Sequence, residues 1–388
     1  MINKKIAFAI VFVIFILSGV FTYSIFSAEK GVSFLSPITY KAPTSENGKT
    51  ESVINTEPKT EECPLNGQML SKTERKIWEG QRPLGIMIEN HKEARPQSGL
   101  SSADIVYEAV AEGGITRFLA IFYCQNASYV GPVRSARIYF LKFLEGYGQY
   151  PLYAHVGGAN TDGPADALGY ISELNWASYN DLNQFSVPFP YFWRDYERLK
   201  NVATEHTVYT STKKLWQFAK EKRKLTNVDE DGVRWDKGFS AWKFEDDAKP
   251  NDRGTVTKID FGFWNNLAGD FGVIWSYDNK TNSYKRTNGG KPHIDKNTGK
   301  ALEAKNIVVI FAKESPANDG YEGGHILYKN VGNGDMLFFK NGKVIKGTWS
   351  KAVDEDQIKF FDSSGVEVPI VRGQVFIEML PIGNKVSY

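Results

Sequence analysis

The sequence has few of the residues that usually hold metal ions and none of the motifs that mark common enzymes. Its 388 residues include two cysteines, which form no CxxC pair, and five histidines, none of which lies four residues from another. It also lacks a GxSxG elbow, a Walker loop and an HExxH helix. Because metal and nucleotide sites are normally built on such spacings, we expect neither a bound metal nor a cofactor.

The sequence also lacks a large excess of positive or of negative charge. The net charge is +2 with 24% charged residues, so the sequence provides no broad basic surface for nucleic acid. The hydrophobic content of 41% is typical of globular proteins, and the length leaves room for two domains.

One long apolar run is present, IAFAIVFVIFILSGVFTYSIF at residues 6–26, directly after Lys4 and Lys5. As a helix it would span roughly 31 Å, enough to cross a bilayer. The lysines predict that the N-terminus stays in the cytoplasm. A cleaved signal peptide is the alternative. We predict a cytoplasmic stub and anchor over residues 1–28 of a single-pass cell-membrane protein whose remaining domains are extracytoplasmic.

The rest of the chain divides into three regions. Residues 29–60 are rich in Ser, Thr, Pro, Lys and Glu, which predicts a flexible tether. Strand and helix patterns alternate over residues 61–249; for example, PLGIMIEN is typical of a buried strand, and Ser211 of a helix cap. Residues 250–388 are strand-like. The predicted fold class is α/β, a mixed sheet with covering helices in the N-terminal domain, followed by a β-rich C-terminal domain.

The sequence DIVYEAVAEGGITRFLAIFYC predicts a hairpin with Gly113 and Gly114 as a two-residue turn. That register places Glu108, Glu112 and Arg117 on one face. They form either a structural ion pair or a site in which arginine holds a carboxylate. The two glutamates are separated by roughly 13 Å along the strand. This is too far for a glycosidase pair, so we expect at most one to act as an acid.

Two arginines precede a helix predicted over residues 133–147. Arg134 and Arg137, in VGPVRSAR, are three residues apart and would share a helix face. With the free N–H groups of the helix start they would form an anion cradle. The alternative is that Glu108 or Glu112 neutralises them inside the fold.

Other candidate residues lie at strand ends and in an aromatic stretch. His155 ends a predicted strand and His206 begins another, where ligands often collect, although either histidine is also explained by simple packing. The stretch at residues 175–198 would either stack on sugar rings or fix a long loop to the core. Its aromatic candidates are Trp176, Phe185, Phe189, Tyr191, Phe192 and Trp193.

The order of the motifs resembles a known family. CPLNG, RPLGIMIEN, ARPQSGLSSADIVYEAVAEGGITRF, VGPVRSAR, HVGG and HTVYTST are followed by NGGKPHIDKNTGK and FFDSSGVEVPIVRGQVFIEMLP. This pattern resembles the YerB-like bacterial lipoprotein family, two-domain proteins of unknown function. The resemblance implies an α/β domain, a β-rich domain and a Gram-positive-type cell envelope. It supplies no catalytic residues, and this chain lacks the lipid-bearing cysteine near the start that typical members have.

The leading hypothesis is binding of an anionic envelope polymer, peptidoglycan or a related glycan. The expected ligand-binding residues are Arg95, Arg117, Arg134, Arg137, Trp193 and His206. One alternative is a glycan-cleaving enzyme, with Glu108, Glu112 and His155 as its candidate catalytic residues. The other alternative is a non-catalytic structural or protein-interaction module.

The two cysteines, Cys63 and Cys124, are candidates for a disulfide. An extracytoplasmic location would permit a bond that closes a loop of about 60 residues. The alternative is two separate thiols.

Overall fold

A computed structural model describes residues 57–388 of the chain. The predicted anchor over residues 1–28 and most of the tether over residues 29–60 lie outside the described residues. Among the helices that are described, none is long and apolar enough to cross a membrane.

The described chain is mostly β-structure, so the predicted α/β class is wrong. Its α-helices are short: α1 (Lys72–Arg75), α2 (Ile138–Leu144), α3 (Ala167–Glu173), α4 (Thr212–Arg223) and α5 (Ala268–Phe271). Single 3-10 turns lie at Lys92–Ala94, Leu100–Ser102, Glu112–Gly114, Glu145–Tyr147, Thr204–His206, Pro250–Asp252 and Asn265–Leu267. The strands are β1 (Lys59–Glu62), β2 (Met69–Ser71), β3 (Leu84–Glu89), β4 (Ile105–Val110), β5 (Thr116–Phe122), β6 (Leu152–His155), β7 (Asp181–Asn183), β8 (Phe192–Arg194), β9 (Val208–Thr210), β10 (Phe244–Glu245), β11 (Lys258–Phe261), β12 (Val273–Asp278), β13 (Ser283–Asn288), β14 (Lys291–Pro292), β15 (Glu303–Ala304), β16 (Asn306–Pro316), β17 (Ile326–Lys329), β18 (Gly332–Lys340), β19 (Lys343–Lys351), β20 (Lys359–Asp362), β21 (Ile370–Val371), β22 (Val375–Pro381) and β23 (Val386–Ser387).

One large sheet contains strands from both halves of the chain. Its order is β20-β19-β18-β16-β22-β4-β5-β3-β6-β7, and β17 pairs with β16. The central contact is the parallel pair of β4 and β22, in which Glu108 lies opposite Glu378. Strands that precede and follow residue 250 thus share one hydrogen-bonded sheet.

Both faces of this main sheet are covered, which explains the continuous apolar runs of its central strands. On one face Tyr107 stacks on Phe143 of α2 with ring centroids 4.4 Å apart. On the other face lies a second sheet of order β14-β13-β12-β11-β23, with β15 paired to β13. Its Trp275 ring lies 4.8 Å from the ring of Phe376.

The loop between β4 and β5 differs from the predicted two-residue turn. The N–H of Ala111 donates to the carbonyl of Ile115, so three residues, Glu112–Gly114, form the loop. The longer loop shifts the register by one residue: Glu108 pairs with Phe118, and Ala109 pairs with Arg117. Glu108 and Arg117 therefore point to opposite faces of the sheet, and the predicted shared face is wrong.

Candidate functional site

The ends of four strands meet at one edge of the main sheet. Strands β3, β6 and β7 are parallel neighbours, and β3 and β4 are both antiparallel to β5, so all four run in the same direction. Glu89, Glu112, His155 and Asn183 lie at or just after their last residues. We call this the carboxyl edge. Ligands commonly bind beyond the carboxyl ends of strands in sheets that helices cover.

Residues 131–137 cross the carboxyl edge as extended chain rather than as a helix. The N–H groups of Arg134 and Ala136 bond to carbonyls of β3 and of the loop after β6. Helix α2 begins only at Ile138, with Arg137 as its N-cap. The helix predicted over residues 133–147 is therefore shorter, and the expected cradle of free backbone N–H groups at Arg134 is not formed.

Glu112 holds two arginines at the carboxyl edge. The guanidinium of Arg137 donates two hydrogen bonds to its carboxylate, and Nη2 of Arg117 lies 3.3 Å from Oε2. Burial opposes the charge of Glu112, but the two arginines outweigh it and lower the pKa of Glu112 to about 2. Two guanidinium groups thus share one carboxylate, which leaves one positive charge in excess within this group of three.

An exposed ring lies on the β16 side of the Glu112 group. Nε2 of His325 lies 4.0 Å from Oε1 of Glu112, and its Nδ1 is hydrogen-bonded to Asp319 at 2.7 Å. Tyr321 stacks on His325 with ring centroids 4.1 Å apart. Because His325 is buried, it fixes one face of Tyr321, while 48% of Tyr321 remains exposed.

A second exposed ring, Phe185, lies on the β7 side of the Glu112 group. Phe185 follows β7 and is 78% exposed. Its ring lies beside Gly157, close enough that a Cβ on that glycine would be 3.3 Å away. The carbonyl of Gly157 accepts a hydrogen bond from Ala136, the neighbour of Arg137. Exposed aromatic rings therefore flank the arginines in both directions along the edge.

Glu89 organises a second charged group. Its Oε1 lies 3.3 Å from Nε of Arg134, and its Oε2 is hydrogen-bonded to Nδ1 of His206 at 2.8 Å. Glu205 lies 3.9 Å from Nη2 of Arg134. The partner of Arg134 is thus Glu89, rather than Glu108 or Glu112. Because the Arg134 side chain is 26% exposed, this guanidinium remains accessible to solvent.

His155 is a buried residue that fixes a loop. Its Nε2 is hydrogen-bonded to Asp181 at 2.6 Å, and its Nδ1 to the carbonyl of Gly157 at 2.7 Å. Its side chain has no exposed surface. Since both ring nitrogens are occupied inside the fold, His155 positions the loop after β6 and presents no atom to a ligand. The structure therefore gives no support to its predicted catalytic role.

Glu108 lies on the opposite face of the sheet from Arg117, in a fully buried polar network. Its Oε1 accepts hydrogen bonds from Asn90 and Thr116, and its Oε2 accepts one from Arg286 of β13. Arg286 also contacts His293. Burial and the charge of Arg286 lower the pKa of His293 well below its ordinary value. The predicted role of Glu108 as an acid is not supported, because neither Glu108 nor Arg286 has exposed side-chain surface.

Glu378 adds a second carboxyl group to this network. It accepts a hydrogen bond from Nε1 of Trp275 at 3.0 Å and lies 3.8 Å from Nε of Arg286. Burial and the neighbouring Glu108 charge raise the pKa of Glu378 well above its ordinary value. The protonated form of Glu378 is therefore favoured beside the Glu108–Arg286 pair.

Arg95 and Trp193 do not join the groups at the carboxyl edge. Arg95 donates to the backbone carbonyls of Asn90 and Asp270, and burial together with the Arg286 charge lowers its pKa to about 10. Trp193 is only 8% exposed and packs edge-on against Tyr129. Neither side chain offers the ligand surface that the sequence suggested.

Cys63 and Cys124 are joined at the opposite end of the main sheet. Their sulfurs are 2.06 Å apart, and 61 positions separate them in the sequence. Asp104, at the start of β4, accepts hydrogen bonds from the N–H groups of Tyr123 and Cys124. The bond ties the first strands of the described chain to the end of β5.

Sequence reasoning missed Glu89 and Asp181, which hold His206 and His155. Glu89 ends a strand that the sequence did predict, so its position at a strand end was a usable signal. Asp181 lies in a three-residue strand that has no clear pattern. Phe185 was named only within the aromatic stretch at residues 175–198, for which fixing a loop to the core was the alternative.

Comparisons with known proteins agree on one family. Two family models match, described as the N-terminal and C-terminal domains of a protein of unknown function (DUF3048), at residues 69–226 and 261–377. YerB of Bacillus subtilis (strain 168), named as a candidate lipoprotein, is 34% identical over 322 residues, 82% of this chain and 86% of YerB. The crystal structure of Bacillus subtilis YerB matches with a TM-score of 0.66 and 29% identity, covering 85% of this chain and 100% of that chain.

Proposed function

We propose that this chain, which belongs to the DUF3048 family, is a membrane-associated, extracytoplasmic protein. Its proposed ligand is an anionic envelope polymer, either peptidoglycan or a related glycan. The YerB-like resemblance predicted from the motifs is confirmed. Two observations support the location. YerB carries a lipoprotein name, and the Cys63–Cys124 disulfide is of a kind that persists in oxidising compartments.

The observation that carries the proposal is the shared carboxylate at the carboxyl edge. In the described part of the chain, Arg117 and Arg137 share one acidic partner, Glu112, so the group keeps an excess positive charge, although their side chains are only 10% and 9% exposed. Arg134 adds a partly exposed guanidinium nearby. Guanidinium groups match carboxylate and phosphate oxygens with paired hydrogen bonds, so the accessible Arg134 would contact an anionic polymer directly, while the buried Arg117 and Arg137 would attract it through their charge.

The two exposed rings favour a glycan among anionic polymers. Phe185 and Tyr321 flank the arginines, and each presents a flat apolar face to solvent. Exposed aromatic rings beside polar groups are typical of binding surfaces. Such faces can stack on the apolar faces of sugar rings while the exposed Arg134 binds acidic substituents.

The glycan-cleaving alternative has weaker support. Glu108 is fully buried and paired with Arg286. Glu112, with its pKa lowered to about 2, is ionised at neutral pH and has no proton to donate. His155 has both ring nitrogens occupied. None of the three predicted catalytic residues meets the requirements of a general acid.

Cosedimentation with purified peptidoglycan sacculi tests the binding surface. The full chain should sediment with sacculi, and Phe185→Ala or Tyr321→Ala should each weaken binding by about 2- to 10-fold, the range for one aromatic contact. The matched control is Tyr388→Ala. Tyr388 is also an exposed ring, 46% accessible, but it packs on Phe339 at the other end of the main sheet.

The supernatant of the same experiment separates the alternatives. Mass analysis should find no released fragments when binding is intact. Released fragments would favour the glycan-cleaving alternative. Absence of sedimentation for the wild-type chain would instead favour a structural or protein-interaction module.

A further inference from the structure

Two histidines and a glutamate converge beside Arg134. His91 follows β3 and caps the turn Lys92–Ala94, while His206 ends the turn Thr204–His206. One ligand atom from each of His91, Glu93 and His206 lies within 4.8 Å of the other two. Nε2 of His206 and Oε2 of Glu93 lie 3.7 Å apart.

The hydrogen bond of His206 leaves its Nε2 as the atom for a ligand. Nδ1 of His206 donates to Glu89 at 2.8 Å, so Nε2 carries the free lone pair. Nδ1 of His91 accepts the backbone N–H of Glu93 at 3.3 Å, so its proton is on Nε2, and His91 binds a metal through Nε2 only in the other tautomer, which gives up that hydrogen bond. A carboxylate behind an imidazole is the usual arrangement around metal-binding histidines, because it fixes the tautomer and increases the basicity of the ring.

We infer that His91, Glu93 and His206 bind one divalent transition-metal ion of the Zn²⁺ type, with Glu89 as a positioning residue. Two imidazoles and one carboxylate are a ligand set that Zn²⁺ accepts, and three protein ligands leave a fourth position for water or another group. This inference does not depend on the proposed glycan binding.

The local charge favours a cation. Glu89, Glu93 and Glu205 surround this place, and Arg134 is the cation paired with two of them. The three carboxylates exceed the one guanidinium, so a divalent ion would be attracted, and once bound it would neutralise the excess negative charge beside Arg134 that would otherwise repel an anion.

Side-chain movements are needed to complete the site. Metal–nitrogen bonds of 2.0–2.1 Å in a tetrahedron place ligand atoms about 3.3 Å apart, closer than the 3.7 Å between His206 and Glu93 and the 4.8 Å that bounds the whole group. His206 is 4% exposed and held by Glu89, so it forms the fixed part. His91 stacks parallel to His206 with ring centroids 5.1 Å apart and is only partly buried, so it can turn towards the ion.

This group is not visible as a sequence motif. His91 and Glu93 are two residues apart, but the second histidine lies more than a hundred residues later. The expectation of no metal rested on sequence spacing, whereas the fold brings these residues together.

Zn²⁺ titration of the chelator-treated full chain by calorimetry tests the inference. The wild type should bind one Zn²⁺ per chain. His91→Ala and Glu93→Gln should each lower the affinity at least about 10-fold, and Glu89→Gln should lower it by about 10- to 100-fold, as for other outer-shell partners. Both ligand variants change partly accessible side chains, so folding should be retained, which circular dichroism checks.

The matched control is Glu205→Gln. The Glu205 side chain is 52% exposed, against 51% for Glu93. Its substitution removes the same charge from the same neighbourhood as Glu93→Gln does. It should leave the affinity within about 3-fold of the wild type, because screened surface charges contribute little. Co²⁺ absorption spectra should show tetrahedral coordination that His91→Ala abolishes. Absence of one-to-one binding, or equal losses in Glu93→Gln and Glu205→Gln, would overturn the inference.

Discussion

Arg137 and Glu112 form a two-point ion pair that joins the start of α2 to the loop between β4 and β5. The carboxylate belongs to a three-residue hairpin loop, and the guanidinium belongs to the N-cap of a helix that covers the sheet. The same contact therefore stabilises the fold and sets the charge of the proposed binding surface. Changes at either residue should affect both properties.

Glu112→Gln should destabilise the protein by about 3 kcal/mol at pH 7. The arginines lower the pKa of Glu112 from 4.5 to about 2, and this shift corresponds to that free energy. Because the folded-state pKa lies below the ordinary value, the stabilisation is complete above about pH 5 and is lost as the pH falls towards 2. Urea denaturation at several pH values measures it.

The difference between wild type and Glu112→Gln should therefore shrink steadily below about pH 5. Glu197→Gln is the control, since the Glu197 side chain is 83% exposed and its removal should have little effect at any pH. A difference that is independent of pH would show that the charge of Glu112 is not the stabilising factor.

The buried network predicts that substitutions of Glu108 and Glu378, which lie opposite each other in β4 and β22, destabilise the protein unequally. Glu108→Gln leaves Arg286 buried without its anionic partner and should cost about 3–5 kcal/mol of folding free energy. Glu378→Gln should cost less than about 1.5 kcal/mol, because burial and the Glu108 charge favour the uncharged form of Glu378 and the amide oxygen can still accept from Trp275. Thermal or urea denaturation compares the two variants. Equal losses would contradict this assignment of charge.

The disulfide should add about 2–4 kcal/mol to the free energy of unfolding, because it closes a 61-residue separation in the unfolded chain. The double substitution of Cys63 and Cys124 by serine should lower the stability by that amount. Non-reducing peptide mapping should recover the two cysteine peptides as one linked species. Alkylation of both cysteines before reduction would exclude the bond.

Local chemistry predicted the parts of the fold that depend on neighbouring residues. Strand β3 matches the apolar segment PLGIMIEN, and Ser211 accepts a hydrogen bond from the N–H of Lys214 at the start of α4, as expected of a cap. The hairpin was also recognised, but Gly113 and Gly114 both have positive φ inside a loop that includes Glu112. A turn of two residues instead of three placed Glu108 on the same face of the sheet as Arg117, whereas the structure places them on opposite faces.

The candidate site depended on contacts that no local pattern encodes. Arg286 lies 178 residues from Glu108, and His206 lies 117 residues from Glu89. The pairing of β4 with β22 joins the two halves in one sheet, and it arises from tertiary structure rather than from either strand alone. The sequence therefore predicted that glutamates would pair with the arginines, but it did not identify which glutamate pairs with which arginine.

Binding of the full chain to peptidoglycan sacculi tests the central claim most directly when Arg134→Ala is compared with Arg75→Ala. Arg134 is partly exposed at the carboxyl edge, whereas Arg75 pairs with Glu61 beside the disulfide-bonded end. The Arg134→Ala variant loses a charge-assisted contact worth about 1.5–3 kcal/mol, so it should bind sacculi about 10- to 100-fold more weakly than the wild type. Arg75→Ala should bind like the wild type. Equal binding by all three proteins, or no binding by the wild type, would contradict an anionic-glycan site at the carboxyl edge.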